Sequence, residues 1–227
     1  MEWRAVVCLM VALWPAVVRA QDAYKIEPIK ETPPSELPAA IAEELSSEGF
    51  RIIRPDGQTL ARVWLRQAIP ARSAPSGPEG AVQFPFLVTG ELLGVIRYED
   101  EGHDYRDQAI VPGVYTIRFG LHPVNGDHLG VSPYRDYGLL VPAAAEKGPG
   151  PLGVKDLERQ SAEAAGTNHP AVLLLMTVPS GQAGGSALRD EEKGFSGIVL
   201  PLRLKVDDEL VPDPFPVGLI FDGVAAQ

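Results

Sequence analysis

Two of the four histidines in this chain, His122 and His128, lie close together, and Asp127 immediately precedes the second. Imidazole nitrogens are common ligands of Zn²⁺ and Cu²⁺, and a carboxylate oxygen can complete such a site. His103, in the acidic run 98–108, could supply another nitrogen. These residue types predict a metal site that uses His122, Asp127, His128 and His103 to hold Zn²⁺ or Cu²⁺.

The backbone of this stretch favours a different outcome. Asn-Gly at 125–126 is the preferred pair for a two-residue hairpin turn. In that register His122 and Asp127 share one face, whereas His128 points to the other. An open loop after Pro123 would let the two histidines converge, because proline donates no amide to a regular ladder. A structural turn and a metal site therefore both remain open.

A second candidate site surrounds Trp64 in the stretch "ARVWLRQ". If Val63 and Leu65 face the core, strand alternation places Trp64 on the other face, with Arg62 and Arg66 on either side. A tryptophan flanked by arginines can stack on a sugar ring or on a partner chain. The alternative is burial of Trp64 beneath a neighbouring helix.

Catalytic motifs are missing from the sequence. It contains no H-E-x-x-H, P-loop or G-x-S-x-G pattern, and its single cysteine, Cys8, lies near the N-terminus. We therefore predict no catalytic residue and no bound organic cofactor. A hydrolase, with residues that the sequence does not reveal, is the third and least favoured function.

The first twenty residues have the pattern of a secretory signal peptide. A basic Arg4 precedes an apolar run too short to span a bilayer, and small residues end at Ala20. We predict a signal peptide at 1–20, a flexible tether at 21–34 and one domain at 35–227. The protein is then secreted or periplasmic, and its mature part lacks disulfides.

Charge excludes two classes of partner. The chain carries 30 acidic and 20 basic residues, a formal net charge of −10. Such a protein repels nucleic acid and anionic membrane surfaces. No second apolar stretch of spanning length occurs, so we expect no membrane span in the mature chain. The expected partner is an unidentified protein or carbohydrate.

Hydrophobic periodicity predicts a mainly β protein. Leu37, Ile41 and Leu45 recur at helical spacing within 35–49, which predicts one amphipathic helix. Beyond it, short alternating runs separated by proline and glycine predict antiparallel strands, including a hairpin at Asp56-Gly57. The run 154–166 predicts a second helix that ends at Gly166. We expect an antiparallel β-sandwich, Ig-like or jelly-roll-like, with one or two peripheral helices.

Two stretches carry a resemblance. "FRIIRPDGQTLARVWLRQAIP" (50–70) and "VPGVYTIRFGLHPVNGDHLGVSPYRDYGLLVP" (111–142) resemble an uncharacterised group of secreted bacterial β-sandwich proteins. The resemblance covers about half of the mature chain and implies the same sandwich fold. It brings no established activity, substrate or catalytic residues. The expected function is a binding or interaction module of the cell envelope, and the alternative is a periplasmic metal-binding protein.

Overall fold

The computed structural model describes residues 23–124, 132 and 134–223. Within that part the chain forms fifteen strands and two α-helices. The strands are β1 (Lys25–Lys30), β2 (Leu45–Ile53), β3 (Thr59–Arg66), β4 (Ile69–Pro70), β5 (Leu92–Tyr98), β6 (Gly102–His103), β7 (Ala109–Ile110), β8 (Gly113–Leu121), β9 (Asp136–Pro142), β10 (Val172–Met176), β11 (Ala187–Asp190), β12 (Phe195–Leu202), β13 (Leu204–Val206), β14 (Glu209–Leu210) and β15 (Phe215–Asp222). The helices are α1 (Ala39–Ala42) and α2 (Val154–Ala165).

Ten of these strands form one sheet, in the order β1-β2-β3-β5-β8-β9-β10-β15-β12-β11, and all of its ladders are antiparallel. The sheet is large and nearly closed. Tyr24, just before β1, packs edge-on against Phe221 of β15 with ring centroids 5.1 Å apart. The mainly β class and the two helices are confirmed. The ten strands lie in one hydrogen-bonded sheet, which is not clearly a sandwich of two.

The inner face of the sheet encloses the main hydrophobic core. On β8, Tyr115, Ile117 and Phe119 alternate with outward residues and join Ile96 of β5 and Leu219 of β15 in one cluster. The sequence "GVYTIRFGL" of β8 is one of the short alternating runs that predict antiparallel strands. Each fully buried side chain of this size contributes about 1.5–3 kcal/mol through the hydrophobic effect, so this layer stabilises the domain without disulfides.

The predicted tether is in part an edge strand. Lys25–Lys30 pairs along its whole length with β2. The amide of Glu31 donates to the carbonyl of Ser47, so alternate residues of β1 bond β2, and Pro28 occupies a position whose amide would face outward. Proline is tolerated there because an edge strand has no partner on that side. The prediction of a flexible 21–34 was wrong for these residues, since Ile26 packs against the core.

The first predicted helix is mostly replaced by strand. Only Ala39–Ala42 is helical, and β2 already begins at Leu45. The helical spacing still identified the right face, because Leu37, Ile41 and Leu45 all pack on the outer side of the sheet. Tertiary pairing overrode local propensity: Gly49, expected to end the helix, lies in β2, where a Cβ would come 2.3 Å from the carbonyl oxygen of Val63.

The hairpin and the second helix are confirmed. β2 and β3 are joined by a turn in which Gly57 has a positive φ of 87° and Asp56 accepts the amide of Gln58. Helix α2 ends at Gly166 in the left-handed conformation, at φ 62°. No helix of the described residues is long and apolar enough to cross a membrane.

An ion pair buried on the outer face of β8 holds a cover over the middle of the sheet. The Arg118 guanidinium donates to both carboxylate oxygens of Glu146, at 2.6 and 2.7 Å, and both side chains are fully buried. It also donates to the carbonyls of Gly90, Gly148 and Gly150. With these bonds the 146–152 segment is fixed against the sheet immediately before α2 begins.

Candidate ligand-binding cleft

A cleft of about 860 Å³ lies between α2, the outer face of β9 and β10, and the loop that joins β6 to β7. Its volume falls within the usual range for small-molecule sites, about 300–1,000 Å³. Helix α2 forms one wall because its buried positions Leu157, Gln160, Ser161 and Ala164 follow helical spacing and face the sheet. Acidic Asp156 in its first turn favours the helix start.

The floor of the cleft is aromatic and aliphatic. Tyr137 and Leu139 alternate on the outer face of β9 and join Tyr105 and Val172 in one apolar cluster. The rings of Tyr105 and Tyr137 lie 6.0 Å apart, tilted by 54°. Both side chains are largely buried and contribute only their edges to the cleft. A ligand here would meet a rigid surface rather than mobile side chains.

Asp104 fixes the loop that supplies Tyr105 and Arg106. Its buried carboxylate accepts the backbone amides of Arg106, Gln108 and Val172 at 2.8–3.0 Å, and the Gln108 side-chain amide at 2.8 Å. Gln108 in turn accepts the hydroxyl of Thr167, at the far end of α2. Although Asp104 belongs to the acidic run 98–108, it is 1 % exposed and organises one side of the cleft.

His122 forms part of the opposite side. Its ring lies 5.6 Å from that of Tyr137, tilted by 45°, and its Nδ1 is 3.0 Å from the carbonyl oxygen of Pro123. Arg135 Nε donates to the carbonyl of His122 at 2.8 Å. A second histidine, His169, also lines the cleft, just beyond the end of α2. The cleft thus contains two imidazoles on different elements.

The charged groups around the cleft are unevenly paired. Arg159 is bound by Asp156 at 3.2 Å and by Glu163 at 3.0 Å. Arg106 and Lys155, which also line the cleft, have no carboxylate within 4.0 Å among the described residues. Both side chains are exposed. The cleft therefore combines an apolar floor with two basic groups that remain available to a ligand.

The tyrosines of the floor stay protonated over the physiological range. Burial raises the pKa of Tyr137 to about 12, and burial likewise raises the pKa of Tyr105. Hydrogen bonds with Ser132 partly oppose both shifts. The two hydroxyls are therefore neutral groups at neutral pH and add no negative charge to the cleft.

No protein family, curated protein or solved structure matches this chain. The resemblance to secreted bacterial sandwich proteins stays a prediction.

The predicted metal site is only partly covered by the structure. His122 lies at the cleft, whereas His103 is exposed on β6 and does not line it. Asp127 and His128 lie outside the described residues. Within the described ranges, no three His, Cys, Asp or Glu side chains are grouped so that they could hold a metal ion. The Zn²⁺ or Cu²⁺ site remains a prediction.

The predicted contact patch around Trp64 is closed. Trp64 is 2 % exposed, covered by Leu37, Ile41 and Leu45, and its Nε1 donates to the carbonyl of Glu31 at 3.0 Å. It does face away from the inner core, as alternation predicted. The patch fails as an exposed stacking surface because the chain before β2 folds over this face of the sheet.

The flanking arginines are held by carboxylates. Arg62 pairs with Glu31 and Glu99, and Arg66 pairs with Glu44 and Glu91. Arg66 also borders a second cleft of about 800 Å³, between β1–β2 and the region after β12. The predicted arginines therefore stabilise the sheet, and only Arg66 reaches a concave surface.

Sequence reasoning missed most residues of the main cleft. Tyr105 and Arg106 lie in the acidic run, and Tyr137 lies in a strand that was predicted correctly without a role for its outer face. Lys155 lies in the predicted helix 154–166, to which the sequence assigned no role at a site. A usable signal was present: Tyr137 and Leu139 are two large apolar residues on the outer face of β9, which therefore needed a cover.

Proposed function

We propose that the protein is an exported binding module whose site is the cleft between α2 and the outer face of β9 and β10. One observation carries the proposal: a concave space of small-molecule size combines a buried apolar floor with basic groups that have no carboxylate partner among the described residues. Export is supported by the signal-peptide pattern at 1–20. Binding is preferred to catalysis because no nucleophile and base converge in the described part of the cleft.

We further infer that the nearly closed sheet serves as a sandwich-like support. Residues from opposite parts of the sheet, such as Val63 of β3 and Leu200 of β12, share the inner core. That core holds the strands of the cleft in fixed positions. The outer faces are then available for covers, and in this arrangement the cover formed by α2 leaves a cleft.

Three matched probes test the site: naphthamide, naphthoate and naphthyl phosphate, each titrated into the purified protein. Two-dimensional amide NMR should show shifts at Tyr105, Tyr137 and Val172. Ala162→Phe places a ring in the cleft from the α2 wall and should weaken binding of each probe by at least about tenfold, or about 1.4 kcal/mol. Trp64, the only tryptophan outside the first twenty residues, reports by its emission that the variant is folded.

Ala144→Phe is the matched control, since Ala144 is exposed and borders neither cleft. It should leave binding unchanged. The proposal is wrong if none of the probes shifts the cleft amides, or if folded Ala162→Phe binds all of them like the unmodified protein.

A further inference from the structure

We propose that the natural ligand of the cleft is a small anion with an apolar body, and that Arg106 and Lys155 select it by its carboxylate or phosphate group. This inference rests on the proposed function, because it names the ligand class of the same cleft. It adds a requirement for charge, which an apolar pocket by itself would not impose.

The pairing of the arginines supports the proposal. Of the twelve arginines in the described residues, eight have a carboxylate within 4.0 Å. Arg106 has no such partner among the described residues, although its loop is rich in carboxylates, because Asp104 turns inward to bind backbone amides. Its guanidinium is left to the cleft.

The local charge differs in sign from that of the whole chain. Arg159 is held by Glu163, which lines the cleft, and by Asp156, which does not, so Arg106, Lys155 and Glu158 are the charged lining groups without an ion pair among the described residues. The described residues that line the cleft carry three cations and two acids, a balance of +1 on a protein with a net charge of −10. A ligand anion is therefore drawn to the cleft and repelled by most of the remaining surface.

The chemistry of the side chains fits such a ligand. A guanidinium offers a planar pair of donors that matches carboxylate or phosphate, and an ammonium adds a compact positive charge. The floor of Tyr105, Tyr137, Leu139 and Val172 accepts the apolar body. Since burial keeps the phenol pKa of Tyr137 high, the floor does not oppose an anion at neutral pH.

The test compares the affinities of the three probes, which differ in charge but share one ring system. Naphthoate or naphthyl phosphate should bind at least about tenfold more tightly than naphthamide, since hydrogen bonds to a charged group are stronger than those to a neutral one. Whichever of naphthoate and naphthyl phosphate binds more tightly identifies the anionic group of the ligand as a carboxylate or a phosphate. Arg106→Gln/Lys155→Gln should remove that preference and leave the affinity for naphthamide within about twofold.

Two further variants separate charge from folding. Arg72→Gln/Lys25→Gln changes the net charge equally, at exposed positions outside both clefts that have no carboxylate partner among the described residues, and it should leave the preference intact. Glu158→Gln should instead tighten binding of both anions, because it removes the unpaired acid of the cleft.

The outcomes distinguish the two proposals. The anion preference is wrong if naphthamide and the anions bind equally well and if all of them shift cleft amides that no longer shift in Ala162→Phe. The proposal that the cleft binds small molecules would then still hold. Tight anion binding that the Arg106/Lys155 variant does not weaken also overturns the anion preference. Failure of all probes to reach the cleft rejects both proposals.

Discussion

Trp64 and Tyr137 are both outward-facing aromatic residues of the same sheet, and each is 2 % exposed. Their surroundings differ. Trp64 is covered by aliphatic side chains, and its one polar atom is satisfied by the Glu31 carbonyl. Tyr137 borders a cleft that α2 spans without filling. Equal burial of the two aromatic residues therefore gives a sealed packing layer over β3 and the floor of an open cleft on β9.

The difference arises from the covers. The 35–45 segment carries Leu37, Ile41 and Leu45 at a spacing that places all three against the sheet. Helix α2 instead presents charged residues beside its buried stripe, including Lys155 and Arg159. The charged residues of the 35–45 cover include Glu36 and Glu44, which pair with Arg97 and Arg66 of the sheet. Lys155 of α2 has no carboxylate within 4.0 Å among the described residues and faces the cleft. Both covers bury apolar surface, and the second borders the cleft.

The largest expected effect tests the sealed packing layer around Trp64. Trp64→Ala should lower the free energy of unfolding by about 3–5 kcal/mol, because it removes a packed side chain and its hydrogen bond. Urea denaturation followed by circular dichroism measures it, since the variant loses its tryptophan signal. Probe binding in the cleft should persist below the transition. Loss of less than about 1 kcal/mol would contradict a sealed layer.

The next largest effect tests the loop between β6 and β7, which forms one side of the cleft. Asp104→Asn replaces a carboxylate that accepts four hydrogen bonds, and should cost about 1.5–3 kcal/mol of unfolding free energy and weaken probe binding. Asp107→Asn is the matched control in the same loop. Asp107 is exposed with φ 61°, a conformation that asparagine adopts readily, so stability should change by less than about 0.5 kcal/mol. Similar losses in both variants would show that charge, rather than the Asp104 bonds, matters.

The smallest effect concerns alkaline pH. The pKa of Tyr137 is about 12 in the folded protein, above its ordinary value of 10.0, so the unfolded chain loses this proton first. Stability should therefore fall as pH rises through that interval, and Tyr137→Phe should remove part of the fall. Urea midpoints of the two proteins, compared from about pH 9 to about pH 11, measure it. If the urea midpoints of the unmodified protein and of Tyr137→Phe fall equally with pH, the pKa of Tyr137 is not raised by burial.

Local patterns were predicted where the chain itself determines them. The Asp56-Gly57 hairpin needs a residue that tolerates positive φ, and glycine supplies it. The alternation in β8 and the Gly166 end of α2 follow from equally local rules. The prediction of a helix over 35–49 was wrong for most of its length, because the same apolar spacing allows packing on the sheet whether or not the backbone is helical. The strand Lys25–Lys30 was not predicted, because an edge strand needs only one partner and therefore tolerates proline.

The cleft was beyond sequence reasoning for a related reason. Tyr105, Tyr137 and Lys155 are far apart in the chain, and only strand order and the path of α2 bring them together. Glu146, a loop acid before a glycine-rich stretch, gave no sign that it would pair with Arg118 inside the protein. Pairing between distant charges depends on the sheet register and leaves no periodic trace in the sequence.

By itself, the sequence determined the mainly β class, most strand positions and the acidic balance, because each follows from residue type or local spacing. Export stays a prediction from the pattern at 1–20. Only the tertiary structure decided which outer face would be sealed and which would hold a cleft. That choice depends on where two covering segments cross the sheet. The same crossing places Trp64 under aliphatic side chains and leaves Arg106 and Lys155 facing a ligand-sized space.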